Sequence, residues 1–573
     1  MFKIIKRLSL LPVILAIAFL FIQVLCDLYI PTLTADMVNN GIVKGDTRFI
    51  LQLGIVMIFV SLGGFVAALL NTKISAQISY KLGCVLRKDI YRKASQFSND
   101  EFNKIGTSSL ITRNTNDVTQ VQNLIEMFLK FLILAPLYLI GGVVMAYWLS
   151  PSLSTVFIIV VPIVMLAAIG ISMYANPLYA KMQKTIDRLN LIFREGLNGV
   201  KVIRAFGKEK QEYERYKRDN AEYTKTSIRV NAIVGLLMPI MSLVMSLATI
   251  AVTWIGGKSI DSGSLEIGTM MGVIAYSVQI MTGFMLIINV VSSIPRGVTS
   301  AKRINEVLDM PLTIYDAKNA RRILSNETSL VFKHVTYTYQ GAEKNAVEDI
   351  SFSIHKGQTL AIIGSTGSGK STIANLIPRL YDVSGGKILL NGTDIQEIAQ
   401  STLHDRISLI PQKSVLFFGT VRENMLFGKP TATDDEIWAA LNVAHAEEFV
   451  RSLDGGLDGI VEKGGGNSSG GQKQRLCIAR AVLKDADVYV FDDSFSALDF
   501  KTEGEIRTAL KGKLTNVVTV IVAQRMRTIM NADKILVLCE GKTAGIGTHD
   551  ELKQSCEVYR EIIASQFEKE DVA

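Results

Sequence analysis

A glycine-rich turn followed by a lysine and two hydroxyl side chains is the segment of this sequence with the clearest chemistry. Apolar residues precede it at 359–363 and an amphipathic run comes after it at 373–377, so a strand, a loop and a helix are expected in that order. Backbone N–H groups of such a loop converge on phosphate oxygens, and the helix N-terminus adds partial positive charge. The segment consists of Gly364, Ser365, Thr366, Gly367, Ser368, Gly369, Lys370, Ser371 and Thr372.

The types of the last residues predict how a nucleotide is held. Lys370 is expected to reach the β- and γ-phosphates, and Ser371 to offer its hydroxyl to magnesium. A glycine-rich turn of this kind also arises by chance. The rest of the chain must therefore support a nucleotide site.

The composition indicates a membrane protein. Of the 573 residues, 49% are hydrophobic, and the mean hydropathy of +0.29 is too high for an ordinary soluble enzyme. The length suits two or three domains. Five scattered cysteines, an odd number without metal-ligand spacing, predict small buried side chains in a reducing compartment rather than disulfides.

Six apolar stretches have the length that a helix needs to cross a bilayer, roughly twenty residues. The first comes after a charged start that resembles a signal peptide, but it is too long and lacks a small-residue cleavage site, so a retained span is expected. The predicted spans lie near 11–31, 51–71, 131–149, 153–173, 232–255 and 267–291.

Basic residues decide the orientation of these spans. They concentrate in two long excursions, between spans two and three and between spans four and five, whereas the other links hold few. The positive-inside rule therefore places both termini and both excursions in the cytoplasm. The net charge of +8 then reflects topology, and nucleic acid is not expected as a partner.

The excursions show helical periodicity, which predicts that the spanning helices continue into the cytosol. Their tips, near 102–107 and 199–207, either touch the domain after span six or form solvated helical hairpins. The second tip contains Phe206 on a basic segment.

Ionisable residues are nearly absent from the spans, which disfavours a proton or metal pump. Asp27, near the outer end of span one, is expected to make a helix–helix hydrogen bond or to contact water. Thioethers and aromatic rings in spans five and six either line a permissive apolar cavity or are lipid-facing or packed core. These residues are Met238, Met241, Met245, Tyr276, Met281, Phe284 and Met285, and the amide Gln279 lies among them in span six.

The composition changes after span six. Pro295 and Arg296 lead into a helical pattern at 301–308, and short β-rich runs then alternate with helical patterns, which predicts a nucleotide-binding domain on a largely parallel sheet. The predicted domains are a transmembrane domain at 1–315, a linker at 316–328 and a nucleotide-binding domain at 329–573.

Further motifs accompany the phosphate loop in the second half. One strand-like run leads to Tyr339 and another, 488–492, ends in the acid Asp492, with Gln412 between them. Two short segments lie on either side of Asp492. They consist of Ser468, Ser469, Gly470, Gly471 and Gln472, and of Ser496, Ala497, Leu498 and Asp499.

In this order, the motifs resemble those of an ATP-binding cassette (ABC) exporter half-transporter of the bacterial multidrug type, over essentially the whole chain. The resemblance implies a membrane all-α six-helix exporter domain fused to an α/β P-loop ATP-binding cassette domain. It implies that Tyr339 stacks on adenine, that Gln412 is the Q-loop residue that touches magnesium and senses the membrane domain, and that Asp492 is the Walker B acid, which positions magnesium.

The resemblance also assigns the two short segments. The one that begins at Ser468 becomes the ABC signature and the one that begins at Ser496 becomes the D-loop. In this family ATP is held between the phosphate loop of one cassette and the signature of another, so two such chains are expected to pair. The excursions are then coupling helices.

Two residues depart from the family pattern where hydrolysis occurs. Asp493 stands where active members carry a glutamate that polarises water, and it is shorter by roughly 1.3 to 1.5 Å. Gln524 stands in place of a switch histidine, and it cannot take up a proton. Two smaller departures are Ser468, where a leucine is common, and Lys463, where the family has an acidic X-loop residue.

These departures predict a degenerate site that binds ATP and Mg²⁺ but hydrolyses slowly, beside an intact signature. The expected function is ATP-driven export of hydrophobic or amphipathic compounds, small molecules or peptides, across the bacterial cytoplasmic membrane. The chain would do so as one subunit of a heterodimer with a second half-transporter. The alternatives are a homodimeric exporter with Asp493 as catalytic base and a nucleotide-gated regulator or channel. A soluble nucleic-acid repair cassette is excluded by the six spans.

Overall fold

The computed structural model describes residues 2–317, 319–322, 325 and 328–570. The chain forms two compact units. One contains residues up to Lys93 together with Ser108–Asp309, and the other contains Ala94–Thr107 together with residues from Met310 onwards. The domain limits predicted from the sequence stay predictions, and the linker at 316–328 lies partly outside the described residues.

The first unit is entirely helical in its described part. Six helical segments are long and apolar enough to cross a membrane, as predicted: Leu10–Ile42, Thr47–Ala94, Thr107–Leu149, Pro151–Asn198, Glu209–Asp261 and Ile267–Leu308. The second and fourth are unbroken α-helices of 48 residues, so spanning helices do continue far beyond the apolar stretches.

Some spans contain local changes in helix geometry. Short π-helical turns interrupt the first and third segments at Met37–Ile42, Arg113–Asp117 and Phe128–Leu132. The remaining helix bounds of this unit are Phe2–Ile5, Leu10–Asp36, Thr107–Thr112, Val118–Met127, Leu134–Leu149, Val200–Ala205, Glu209–Gly235 and Leu237–Asp261.

Side chains from spans one, three, four, five and six form the core of this unit. Met241, Met245, Tyr276 and Phe284 are buried in it, so these four are packed core. Asp27 makes a helix–helix hydrogen bond, as expected: the Tyr138 hydroxyl of span three donates to its carboxylate. All five cysteines are free thiols.

Two larger sheets organise the second unit. A six-stranded sheet has the order β12-β11-β3-β10-β9-β6 and is parallel except for β12, and an antiparallel four-stranded sheet has the order β2-β1-β4-β5. A short pair, β7-β8, completes the described strands. The bounds are β1 Ser329–Tyr337, β2 Val347–His355, β3 Thr359–Gly364, β4 Gly385–Leu390, β5 Thr393–Asp394, β6 Ile407–Ile410, β7 Gly419–Thr420, β8 Ile460–Val461, β9 Val488–Asp492, β10 Val518–Val522, β11 Lys534–Cys539 and β12 Lys542–Gly547.

The parallel sheet determines where the functional loops lie. Its strands β3, β10, β9 and β6 run in the same direction, so the loops at their carboxyl ends emerge at one edge. The helices of the unit are Asn99–Ile105, Lys370–Leu376, Ile395–Glu397, Gln400–Arg406, Val421–Leu426, Asp434–Val443, Glu447–Ser452, Gly456–Asp458, Lys463–Gly465, Gly470–Leu483, Phe500–Lys513, Met526–Ile529, His549–Ser555 and Glu557–Glu570.

Candidate nucleotide site

The glycine-rich turn has the predicted strand–loop–helix context, between β3 and the helix Lys370–Leu376. Gly369, with φ +97°, has a backbone conformation that favours glycine, and a Cβ there would lie 2.7 Å from the Ala346 carbonyl oxygen. The Lys370 ammonium donates to the carbonyl oxygens of Gly364 (2.9 Å) and Ser365 (2.7 Å), which folds its side chain back over the loop.

The loop fits an anionic ligand. The Ser368 hydroxyl is buried and makes no hydrogen bond within the described part of the chain. A buried hydroxyl normally has a partner. Together with the start of the adjoining helix, it forms a cradle with donors for phosphate oxygens.

A cluster of three tyrosines lies beside this loop. The Tyr339 hydroxyl is 3.0 Å from the Thr372 hydroxyl, and its ring meets those of Tyr337 and Tyr381 edge-on, at centroid distances of 4.9 and 5.5 Å. Tyr339 is 36% exposed, whereas Tyr337 is 3% exposed. An accessible ring held in this way is suited to stack on a base.

The two acidic residues lie at the end of β9, where Asp492 is the last residue of the strand and Asp493 follows it, and both face the loop. The Ser371 hydroxyl donates to the Asp492 carboxylate at 3.0 Å, so the predicted hydroxyl and acid lie together. Carboxylate and hydroxyl oxygens are the ligands that a hard divalent cation takes. The structure brings these two side chains together, and their role as magnesium ligands stays a prediction.

Asp493 accepts hydrogen bonds from two side-chain amides whose convergence on it the sequence did not predict. The side-chain Nε2 atoms of Gln412 and Gln524 donate to the same oxygen, Oδ2, at 3.3 and 3.1 Å. The φ angle of Asp493 is +49°, a left-handed conformation that aspartate tolerates better than most residues. We call Gln412, Asp493 and Gln524 the amide–carboxylate clasp.

Burial shifts the proton affinities of the charged groups here. It raises the pKa of both Asp492 and Asp493, which the Ser371 hydroxyl and the Gln412 amide respectively oppose. It lowers the pKa of Lys370, which the two carboxylates oppose. The site therefore gathers charges whose environment favours their neutral forms.

The signature and the D-loop pack against each other. Ser469 caps the helix Gly470–Leu483 in a reciprocal box with Gln472, where the Ser469 N–H donates to the Gln472 side chain at 2.8 Å. The Ala497 N–H donates to the Gln474 side chain at 3.0 Å. Ser468 and Lys463 are both outside this helix, in the turn that leads to it.

Other D-loop residues bond to their own neighbours. The Ser496 hydroxyl donates to the Asp493 carbonyl at 2.9 Å, and Leu498 is buried. Asp499 caps the helix Phe500–Lys513 by accepting from the Thr502 N–H. The structure therefore joins the D-loop to the clasp through the backbone of Asp493.

The tip of the first excursion is part of this unit. Its helix Asn99–Ile105 begins with a capping box between Ser98 and Glu101. Glu101 is 3% exposed, and its carboxylate accepts from the Thr313 N–H at 2.7 Å. Of the two possibilities left open, contact with the chain beyond span six is the one observed for this tip. The second tip, with Phe206 73% exposed, belongs to the other unit.

Three residues that sequence reasoning missed support the clasp. Arg525 donates to the D-loop carbonyls of Ser496 (3.2 Å) and Leu498 (3.3 Å) and pairs with the buried Glu503 at 3.1 Å. Gln566, on the helix Glu557–Glu570, bonds to the backbone on either side of Arg525. The sequence signal was the arginine directly after Gln524; Glu503 and Gln566 belong to no motif.

Comparisons with known proteins match both halves of the chain. A family model described as the ABC transporter transmembrane region matches residues 13–284, and one described as ABC transporter matches residues 347–496. An uncharacterized ABC transporter ATP-binding protein of Mycobacterium tuberculosis is 36% identical over 549 residues, which are 95% of this chain and 94% of that protein.

Two further matches extend over nearly the whole chain. An ATP-dependent lipid A-core flippase of Mannheimia succiniciproducens is 30% identical over 557 residues, 97% of this chain and 95% of that protein. The solved structure of a bacterial Atm1-family ABC exporter with ATP bound aligns with a TM-score of 0.80 at 25% identity. That alignment covers 97% of this chain and 98% of the other.

Proposed function

The chain belongs to the ABC transporter family as an exporter half-transporter, and on that premise we propose that it is the slow-site subunit of a heterodimeric exporter. ATP-driven export is the activity that the family membership supports. The proposal adds that this chain's own phosphate loop holds ATP for long periods. Faster hydrolysis takes place where its signature completes a partner's site.

The proposal assigns a role to each group of side chains in the site. The phosphate loop from Gly364 to Thr372 binds the triphosphate, and Tyr339 stacks on adenine. Ser371 and Asp492, with Gln412 from the Q-loop, hold Mg²⁺. Bound Mg²⁺ would supply positive charge against the phosphate oxygens.

The amide–carboxylate clasp is the observation that carries the slow-site assignment. The amides of Gln412 and Gln524 both donate to Asp493 Oδ2, so they compete at this oxygen with a water molecule that Asp493 would have to orient. The side chain is also short for this role, and a general base must come within about 3 Å of its proton. Gln524 directs one donor at the carboxylate and carries no titratable group.

The signature, in contrast to the hydrolytic residues, has an intact geometry. Ser469 to Gln472 form a capped helix start, with Gly470 and Gly471 against the D-loop residue Ala497. Open backbone N–H groups at such a helix start suit a phosphate. The asymmetry between a poor set of hydrolytic residues and a sound signature favours a heterodimer over two identical chains.

The substrate is proposed to be hydrophobic or amphipathic. The relative named as a flippase acts on lipid A-core by its name, and the most apolar 18-residue window of each described span contains at most two charged residues. The positive charge of the long excursions supports cytoplasmic termini in a bacterial inner membrane.

The test compares ATP hydrolysis by the chain purified alone with hydrolysis by the chain co-purified with its partner half-transporter. We expect the pair to be much faster. If the chain alone matches the pair, Asp493 suffices as a base and a homodimeric exporter replaces the proposal.

A second test assigns the two sites within the pair. Ser469→Arg is expected to abolish most turnover, because its bulk blocks the partner's site, whereas Asp493→Asn changes turnover only modestly. Ser555→Arg, on the exposed side of the helix His549–Ser555, is the matched control. Equal and severe losses from Ser469→Arg and Asp493→Asn would contradict the assignment.

A further inference from the structure

The side-chain amide of Gln566, on the C-terminal helix Glu557–Glu570, brackets Arg525, which directly follows the switch residue Gln524. Its Nε2 donates to the Gln524 carbonyl oxygen at 2.6 Å, and its Oε1 accepts from the Met526 N–H at 2.8 Å. These two bonds use both ends of one amide and fix the backbone immediately before and after Arg525.

The helix that contains Gln566 packs against a buried hydrophobic cluster. Tyr559 is fully buried, and its hydroxyl is 2.8 Å from the His549 ring nitrogen Nδ1. It belongs to a cluster with Ile363, which is in the strand leading to the phosphate loop, and with Ala523 and Met526, which flank the switch. Packing of this kind holds Gln566 in place relative to both parts of the site.

The backbone of residues 524–526 connects the clasp to the D-loop. On one side Gln524 donates to Asp493, at 3.1 Å, and completes the clasp. On the other, Arg525 donates to the D-loop carbonyls of Ser496 and Leu498. A shift of this three-residue backbone would move the clasp and the D-loop together.

We propose that Gln566 is a positioning residue of the ATP site, through which the C-terminal helix fixes the switch loop and the D-loop and slows nucleotide release. The inference rests on the proposed role of this site in holding nucleotide. It requires no direct contact between Gln566 and ATP.

Two substitutions separate the two bonds. Gln566→Met keeps the length of the side chain and removes both hydrogen bonds. Gln566→Glu keeps an acceptor for the Met526 N–H but places a second acceptor against the Gln524 carbonyl. Gln554→Met, on the exposed face of the preceding helix His549–Ser555, is the matched control.

The experiment uses the full-length chain purified alone, with ATPγS as the nucleotide. Hydrogen exchange of the peptide 523–530 is expected to be about tenfold faster at Met526 in Gln566→Met, because one ordinary hydrogen bond controls a factor of that size. In Gln566→Glu it stays near the wild-type rate. Release of radiolabelled ATPγS in a chase is expected to be about tenfold faster in both variants, and unchanged in Gln554→Met.

Two outcomes would overturn the proposal. If Gln566→Met exchanges faster but releases ATPγS at the wild-type rate, the contact of Gln566 with the backbone is purely structural. If neither exchange nor release changes, Gln566 does not hold this backbone at all. Neither readout involves hydrolysis. A chain that hydrolyses ATP as fast alone as in a pair would therefore defeat the heterodimer while leaving these measurements able to support or refute the role of Gln566.

Discussion

Restoring the two missing hydrolytic groups should convert the slow site into a faster one. Asp493→Glu adds one methylene, roughly 1.3 to 1.5 Å of reach, and Gln524→His replaces a neutral amide with a group that can carry a proton. Both changes dismantle the clasp, in which the two amides converge on Asp493 Oδ2 at 3.1 and 3.3 Å.

The expected gain depends on the geometry. Misplacing a catalytic group by about 1 Å costs on the order of a hundredfold, and losing a transition-state donor costs a similar factor. We expect Asp493→Glu alone to raise single-turnover hydrolysis about tenfold, and Asp493→Glu/Gln524→His to raise it about a hundredfold or more. The gains are not expected to add, because residues 493 and 524 are hydrogen-bonded.

The assay is single-turnover hydrolysis of γ-labelled ATP by the chain in excess. Asp435→Glu, the same change at an exposed position of the helix Asp434–Val443, is the control for the added methylene. Since Asp493 has φ +49°, a conformation less suited to glutamate, thermal unfolding of each variant should be measured alongside. A folded double variant that stays within threefold of the wild-type rate would refute the reasoning.

The remaining predictions concern binding, proton linkage and coupling. Tyr339→Ala should weaken ATP binding about tenfold or more, because stacking is lost. Tyr339→Phe loses only the hydroxyl bond to Thr372, so its affinity for ATP should stay within about threefold of the wild-type value. Equal losses of affinity in equilibrium binding would argue against stacking. Burial raises the pKa of Asp493, so protonation of this carboxyl favours the folded state. The free energy of unfolding of the wild type, relative to that of Asp493→Asn, should therefore be highest below the carboxyl's unfolded pKa of about 3.9 and should fall as the pH rises through the folded pKa. Denaturant unfolding of the two proteins across pH checks the sign. Glu101→Leu removes the acceptor of the Thr313 N–H and should lower transport in proteoliposomes more than ATP hydrolysis; a proportional fall in both would indicate a loss of folded protein instead.

Much of the architecture could be predicted because its signals are strong and local. Six apolar stretches of spanning length predict six spanning helices, and the glycine-rich turn after an apolar run predicts the loop that ends at Thr372. Alternation of strand and helix patterns also predicts the parallel sheet. The separate antiparallel sheet of β2, β1, β4 and β5 could not be predicted, because the sequence of a short strand does not indicate which sheet it joins.

The candidate site was predicted in its members but not in its contacts. Asp493 and Gln524 stood out against a family pattern, yet no spacing indicates that Gln412 and Gln524 donate to one oxygen of the same carboxylate. Their meeting depends on the order of β6, β9, β10 and β3 in the sheet.

Long-range supports were missed for a similar reason. Gln566 is 42 residues from Gln524 in the chain, and its bond to the switch depends on how the last helix packs. Glu503 comes after the D-loop, in a helix whose face is fixed only by folding. No local pattern distinguishes either residue from an ordinary polar side chain on a helix.

The fate of nucleotide in the assembled transporter tests the slow-site assignment most directly. The heterodimer is loaded with γ-labelled ATP and Mg²⁺, freed of unbound nucleotide and quenched over time. We expect two phases, with one of the two bound ATP molecules hydrolysed quickly and the other retained intact, and we expect Asp493→Glu/Gln524→His to shorten the slow phase. Hydrolysis of both molecules in a single phase by the wild-type assembly would contradict the account.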